Sequence, residues 1–339
     1  MDFLTVVPIA AIVIIVLAVG FSFVNGFHDA ANVVATMIST RAFQPQSALI
    51  IAAVAESVGP FLFGTAVART IGVGIIHPED ATVGVILAAL LGAIAWGLIT
   101  WYFGLPSSSS HALVGGMAGA VLAASGLAHL RLHGFTAVLV VLFTSPLVGL
   151  FAGYWAQNIL LFISRGFTPR LNEAYKRLQV FSAVALALSH GTNDAQKSMG
   201  LIAMTLVSTG VMSSFMVPAW AIVVCALAMG LGTAIGGWRI IKTVGDRIYR
   251  LRPINGFAAQ SASAVVIMGA AVFGGPVSTT HVVSSAIAGV GSAERIKAVR
   301  WNMAFDIALA WIVTIPASAG LAAAAYWLLH AAFHILRRT

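Results

Sequence analysis

Four short polar clusters interrupt a chain that otherwise reads as soluble in lipid, and they fall into two matched pairs. Gly26-Phe27-His28-Asp29-Ala30-Ala31-Asn32 is matched by Gly191-Thr192-Asn193-Asp194-Ala195-Gln196-Lys197. Pro106-Ser107-Ser108-Ser109-Ser110-His111 is matched by Pro276-Val277-Ser278-Thr279-Thr280-His281. Polar and ionisable groups inside apolar segments are expensive. A chain that carries them twice in the same order is expected to build one site from two halves.

With 60% apolar and 8% charged residues among 339, the chain has too little polar surface for a soluble globule of this length. It reads as an all-α integral membrane protein, a multi-spanning helical bundle. No cleavable signal is expected, because the first apolar stretch lacks a basic leader. The single Cys225 lies in an apolar run and reads as a buried small hydrophobe, with no intrachain disulfide to form.

Stretches long enough to span a bilayer, about 20 residues, fall at 3–24, 46–68, 81–103, 135–163, 179–210, 217–236, 257–274 and 301–333, with shorter ones at 112–128 and 281–291. If each Pro cluster is the tip of a hairpin returning to its starting side, each half makes an odd number of net crossings. The first and fifth stretches would each cross once, with a polar break inside. The halves are then expected to be inverted-topology repeats with broken or re-entrant helices at the midplane: 1–163, a basic cytoplasmic connector at 164–178, and 179–339. Gly64-Thr65-Ala66-Val67 recurring as Gly232-Thr233-Ala234-Ile235, and Thr144-Ser145-Pro146 as Thr314-Ile315-Pro316, supports the duplication; with the clusters, these matches keep one order at a near-constant offset.

The net charge of +8 would suit a nucleic-acid partner, but its distribution is that of a membrane topology, and no nucleic acid is expected. Of 18 Lys and Arg, only Lys197 falls within an apolar stretch. Placing both termini outside puts Arg41, Arg165, Arg170, Lys176, Arg177, Arg239, Lys242, Arg247, Arg250, Arg252, Arg295, Lys297 and Arg300 inside. Only Arg69, Arg131, Arg337 and Arg338 are left outside, an asymmetry that supports this orientation by the positive-inside rule, with Arg337 and Arg338 at the C-terminus running against it.

The Pro clusters should each open a half-helix at membrane depth, since Pro suits the first helical positions and Ser or Thr caps free N–H groups. Such ends favour an anion with several acceptor oxygens, so Ser108, Ser109 and Ser110 with Ser278, Thr279 and Thr280 are candidate ligands of a tetrahedral oxyanion, together with Gln196 and Lys197. The Asp clusters, His28, Asp29 and Asn32 with Asn193 and Asp194, are oxygen-rich and suit a coupling cation or a proton; Na⁺ would fit at Asp29, Asn32, Asn193 and Asp194. Glu56 and Asp306 lie in apolar stretches without repeat counterparts and are secondary candidates. So are His111 and His281; with His28 and His190 they adjoin the clusters and could carry protons.

Several other chemistries lack their signatures. Adjacent Ser110 and His111 cannot form a hydrolase pair on one helix face, no G-x-S-x-G elbow occurs, and no H-E-x-x-H or Cys pairing marks a zinc site. The protein is not expected to be an enzyme or to hold a cofactor. A passive anion channel stays open at this level, although carboxylates beside anion-binding helix ends favour cation-coupled transport.

The runs NGFHDAANVVAT (25–36), TWYFGLPSSSSH (100–111), SHGTNDAQKSMGL (189–201) and PVSTTHVVSS (276–285) resemble the signatures of the PiT family of inorganic phosphate transporters, over essentially the whole chain. The family's repeated G-x-N-D motif is kept at Gly191-Thr192-Asn193-Asp194, whereas the first copy reads Gly26-Phe27-His28-Asp29. That variant resembles the low-affinity bacterial permeases. The resemblance implies secondary active import of inorganic phosphate, with a divalent metal as a companion of the anion, and symport coupled to protons. Sodium coupling, or sulfate as the substrate of the same fold, are the alternatives. It also implies alternating access, a homodimer and a place in the cell membrane. The short connector at 164–178 departs from members with a large domain between repeats.

Overall fold

The computed structural model describes residues 8–166, 171–236, 249 and 251–336. Among these the only β pairing is an isolated bridge between Ile76 and Leu130; the rest is helices and turns. The helices are α1 (Ile9–Ser39), α2 (Pro45–Val58), α3 (Ala66–Gly74), α4 (Val83–Phe103), α5 (Ser109–Ala124), α6 (Leu132–Ile163), α7 (Leu171–Ser208), α8 (Ala219–Ile235), α9 (Pro253–Val272), α10 (Thr279–Arg295) and α11 (Trp301–Leu336). Five are long and apolar enough to cross a membrane, or six if the bent pair α2 and α3 forms one span. Arg170, Arg239, Lys242, Arg247, Arg250, Arg337 and Arg338 lie outside the described residues, so much of the charge pattern that orients the chain is carried by sequence alone.

The half-helices form as the sequence requires. Ser108 and Ser278 are the N-caps of α5 and α10, each accepting from the N–H three residues on, His111 and His281. Pro106 and Pro276 do not occupy the first helical turn, as expected above; they stand two residues before the caps, in links that leave α4 and α9 through Gly104 and Gly274, both at positive φ. Such a backbone suits glycine.

The expected polar break inside the first and fifth stretches is absent. α1 and α7 run unbroken through residues 25–32 and 190–197. The break falls instead between α2 and α3, bent by 72° around Pro60 and Gly64. Gln196 on α7 serves its loose ends, accepting from the Ala68 N–H at 3.1 Å and donating to the Gly64 carbonyl at 3.0 Å. The amide expected to face an anion is thus spent on backbone groups that hydrocarbon could not satisfy.

Close packing pairs the two halves. A Cβ on Gly26 would lie 2.1 Å from the Met229 carbonyl, and one on Gly191 2.2 Å from that of Glu56. Gly59 backs onto Leu188 and Thr192, while Gly232 backs onto Phe23 and Phe27. Each equivalence on α1 and α7 is 165 residues apart, so the contacts align Gly59, not Gly64, with Gly232. The half-helices are exchanged between halves: Gly119 of α5 lies against Ala319 of α11, and Gly289 of α10 against Leu150 of α6. Small residues are what allow backbones to come this close in a membrane bundle.

Glu294, at the end of α10, ties three helices together. Its carboxylate accepts from Gln157 Nε2 at 2.8 Å, Asn255 Nδ2 at 2.6 Å and Tyr249 Oη at 2.9 Å, and it pairs with Arg252. Partial burial alone would raise its pKa. The donors from Asn255, Arg252 and Tyr249 outweigh that and hold it below the usual glutamate range. A depressed carboxylate contributes stability that is present above its unfolded pKa and lost as pH falls through the folded one.

Two expectations follow for thermal unfolding in detergent. Gly153→Val places a Cβ 2.3 Å from the Ala286 carbonyl and should cost about 1–3 kcal/mol or more, whereas Gly20→Ala, whose Cβ meets nothing within 4 Å, should be neutral or stabilise by up to about 1 kcal/mol. Glu294→Gln should lower the midpoint at neutral pH and lose less than the parent on acidification below pH 4.5.

Candidate functional site

The unbroken course of α1 and α7 decides what the Asp clusters can do: their side chains, not unwound carbonyls, must form the site. Asp29 and Asp194 are 1% and 0% exposed, and Glu56 on α2 is 0% exposed. His190 joins all three. Its Nδ1 is 2.9 Å from Glu56 Oε1, and its Nε2 lies 3.4 Å from Asp194 Oδ2 and 4.0 Å from Asp29 Oδ2. Glu56 Oε2 accepts from Thr233 of α8. Lys197, wholly buried, places Nζ 2.8 Å from Asp194 Oδ1 and donates to Ser109 Oγ at 3.3 Å.

The caps of α5 and α10 face this cluster with a near-twofold pattern. Ser109 donates to Asp29 Oδ2 at 3.3 Å, and its counterpart Thr279 to Asp194 Oδ2 at 3.2 Å. Ser110 donates to the Val277 carbonyl at 2.8 Å, and Thr280 to the Ser107 carbonyl at 3.2 Å. The two N-termini are therefore tied across to each other. The single Thr280 O–H also has Asp29 Oδ1 at 3.2 Å as an alternative acceptor to the Ser107 carbonyl, and its oxygen accepts from Asn32 Nδ2 at 2.8 Å. A crevice of about 10 Å³ beside Asn25, His28, Ser107 and Ser109 adjoins the cluster.

Around this frame the halves diverge. His28 bonds Asp29 through Nδ1 at 2.9 Å and Thr100 Oγ1 through Nε2 at 3.2 Å. Its counterpart Asn193 donates to the Gly275 carbonyl at 3.0 Å. Asn25, the counterpart of His190, donates to Asp194 Oδ2 at 3.3 Å. The amide oxygens of Asn25, Asn32 and Asn193 are buried and accept no hydrogen bond among the described residues, and buried acceptors of that kind suit a cation. Side-chain atoms of Asp29, His190 and Asp194 that could ligate one ion lie within 4.8 Å of one another.

Of the residues expected from sequence, His28, Asp29, Asn32, Ser109, Asp194, Lys197, Thr279 and Thr280 meet in one buried network, and Glu56 joins it through His190. Ser108 and Ser278 act as caps, Ser110 as a cross-tie, and Gln196 supports the α3 bend. His111 and His281 form a separate pair with ring centroids 4.4 Å apart, His281 stacked on Trp311 at 3.8 Å. Asp306 lies on α11, and its side chain is outside the described residues. Asn25 and Thr233 were not legible as site residues; Asn25 directly precedes the first cluster, the one signal that could have drawn it in.

The profile of the phosphate transporter family (PHO4) matches residues 25–322. The chain is 47% identical over 330 residues to a probable low-affinity inorganic phosphate transporter of Bacillus subtilis, spanning 96% of this chain and 98% of that one. It is 44% identical to a protein of the same description from Rhizobium meliloti, over 93% and 95% of the two chains. A solved structure described as the sodium-dependent phosphate transporter superposes with a TM-score of 0.85 at 25% identity, covering 95% of this chain and 99% of the other.

Breaking a buried ion pair from one side leaves a charge without compensation, at about 3–5 kcal/mol. Asp194→Asn and Lys197→Gln should each destabilise by about that much, and the double variant should lose less than the sum by about 1–3 kcal/mol. Chemical unfolding in detergent of the four proteins of this cycle measures both; strict additivity would show that the pair carries no coupling.

Proposed function

The chain belongs to the phosphate transporter family, is a multi-pass membrane protein and a transporter, not an enzyme, and on that premise we propose that it imports inorganic phosphate by proton symport through alternating access. The observation that carries the coupling is that the hydroxyls we assign to phosphate donate to the carboxylates we assign to the proton. Ser109 and Thr280 donate to Asp29, and Thr279 to Asp194. While the carboxylates are ionised they hold these donors. A carboxyl group that takes a proton no longer needs them, and they are free to turn to phosphate oxygens.

Charge balance points the same way. Three carboxylates, Asp29, Glu56 and Asp194, face one ammonium, Lys197, so with neutral imidazoles two negative charges lack compensation in a low-dielectric interior. An anion could join such a cluster only with cations or protons, since uncompensated buried charge costs several kcal/mol. His190 lies between Glu56 and the Asp29 and Asp194 pair, and on this reading it passes the proton among them. The carboxylates also supply a basis for choosing phosphate over sulfate: a protonated phosphate can donate to an acceptor-only carboxylate, and sulfate at neutral pH cannot.

Sodium is the second reading, favoured by the orphaned amide oxygens of Asn25, Asn32 and Asn193. Those three acceptors with Asp29 and Asp194 would make an oxygen cage for one ion. On either reading the two halves are taken as inverted repeats, with both termini outside and the 164–178 connector inside.

Uptake of labelled phosphate into proteoliposomes separates these readings. An inwardly directed proton gradient should drive accumulation without sodium, and His190→Gln should abolish the response by about tenfold or more, as loss of a general acid–base group does; accumulation driven by sodium alone would assign the site to that ion. Ser109→Ala and Thr279→Ala should each raise the half-saturating phosphate concentration, and unchanged values would sink the shared-donor mechanism. Excess sulfate should leave uptake intact.

A further inference from the structure

Between the end of α3, the link that follows it and the start of α6, a cavity of about 490 Å³ is lined by Gly74, His77, Arg131, Leu132, His133 and Gly134, none of them a residue of the carboxylate cluster. Every titratable group in its lining is basic. The walls are pinned by backbone: Ile76 bridges Leu130, and the Arg131 N–H donates to the Ile75 carbonyl at 3.0 Å. Ile76 and Leu130 beneath it are 2% and 4% exposed. Gly134 is packed so tightly that a Cβ would lie 1.8 Å from the Gly74 carbonyl. The Arg131 guanidinium is held by the Val73 carbonyl through Nη1, which fixes the fork while leaving its other donors available.

The acidic neighbours do not line the cavity. Asp80 is engaged by His129, Oδ1 to Nδ1 at 2.7 Å, and Glu79 is exposed. A second cavity, about 270 Å³ between α6, α10 and α11, has no Lys, Arg or His in its lining, which includes Leu147, Phe305 and Trp311.

We propose that the Arg131 cavity is a second binding site for a phosphate group, separate from the buried site. A guanidinium presents paired donors that match two phosphate oxygens, and the imidazoles of His77 and His133 in the same lining can each supply an N–H donor. The volume lies within the roughly 300–1,000 Å³ of small-molecule sites, so it accommodates a hydrated phosphate or the phosphodiester of a lipid headgroup. Both sources present the same chemistry to the same three side chains.

The test uses the purified full chain in maltoside detergent and in nanodiscs. In maltoside free of phospholipid, equilibrium binding of radiolabelled inorganic phosphate should show two equivalents per chain, reduced to one by the double substitution His77→Gln and His133→Gln. Arg131→Lys, which keeps a donor for the Val73 carbonyl, should weaken the same equivalent. Ser109→Ala should weaken only the other, so failure of the buried site is seen separately. If the group comes from lipid instead, phosphatidylglycerol discs should raise the thermal unfolding midpoint of the parent protein and not of the double variant. A single phosphate equivalent in maltoside, together with no lipid-dependent shift that the variant removes, would overturn the proposal, as would a second equivalent that survives the double substitution.

Discussion

The cost of keeping Asp29, Glu56 and Asp194 out of water governs the rest of this structure. An ionised carboxylate in hydrocarbon must be compensated from close by, and no single helix can supply the partners. Asp29 and Asp194 sit on α1 and α7, Glu56 on α2. Their partners arrive from α5 (Ser109), α8 (Thr233) and α10 (Thr279 and Thr280), with His190 and Lys197 added by α7 itself. Six helices are thereby obliged to converge. The close-approach glycines at 26, 59, 191 and 232 are then the steric condition for that convergence. The same constraint explains why α1 and α7 do not unwind. Opening either backbone there would add unsatisfied N–H and C=O groups to the place that already carries the largest desolvation cost.

On the reading proposed above, sharing of donors turns this structural necessity into a means of coupling. If a hydroxyl donates either to a carboxylate or to an anion, whatever reduces the carboxylate's demand strengthens anion binding. By linkage the anion must raise affinity for the proton or cation by the same factor. No long-range pathway is needed, because Ser109, Thr279 and Thr280 touch the carboxylates directly. Exchange of α5 and α10 between the halves adds a mechanical element. Each half-helix that supplies donors packs on the last long helix of the opposite half, so on the alternating-access reading a motion of one half carries the other half's ligands with it.

Much of this was legible in the sequence, for identifiable reasons. Short-range chemistry was readable: the Ser108 and Ser278 caps follow from hydroxyls placed three residues before N–H groups that need acceptors, and the cluster residues follow from their cost in lipid. What escaped depends on distant pairing. The continuity of α1 and α7 could not be inferred, because a polar run suits an unwound segment and a packed helix equally well until its neighbours are known. Gln196 could be recognised as polar and buried, but not as the support of a bend more than a hundred residues away. The link from Glu56 to His190 spans 134 positions. The tetrapeptide match drew Gly64 onto Gly232, where packing shows that Gly59 has that role; a short motif of small residues recurs too easily to fix register.

The imperfection of the repeat follows from electrostatics. Two identical halves would place two copies of each charge about the near-twofold axis, and like charges so close in a low dielectric would repel strongly. This chain breaks the symmetry at three positions of one face. Asn25 stands opposite His190, His28 opposite Asn193, and Asn32 opposite Lys197. Each pair sets a neutral amide against a group that is, or can become, cationic. The second half gains Lys197 and His190 around Asp194; the first gains His28 beside Asp29. Asp194 has a fixed countercharge at 2.8 Å, whereas Asp29 has imidazoles at 2.9 and 4.0 Å. The two equivalent carboxylates are therefore compensated differently, Asp194 by a permanent charge and Asp29 by imidazoles and hydroxyl donors, and on the proton-symport reading proposed above the first half is where a change of protonation would be felt.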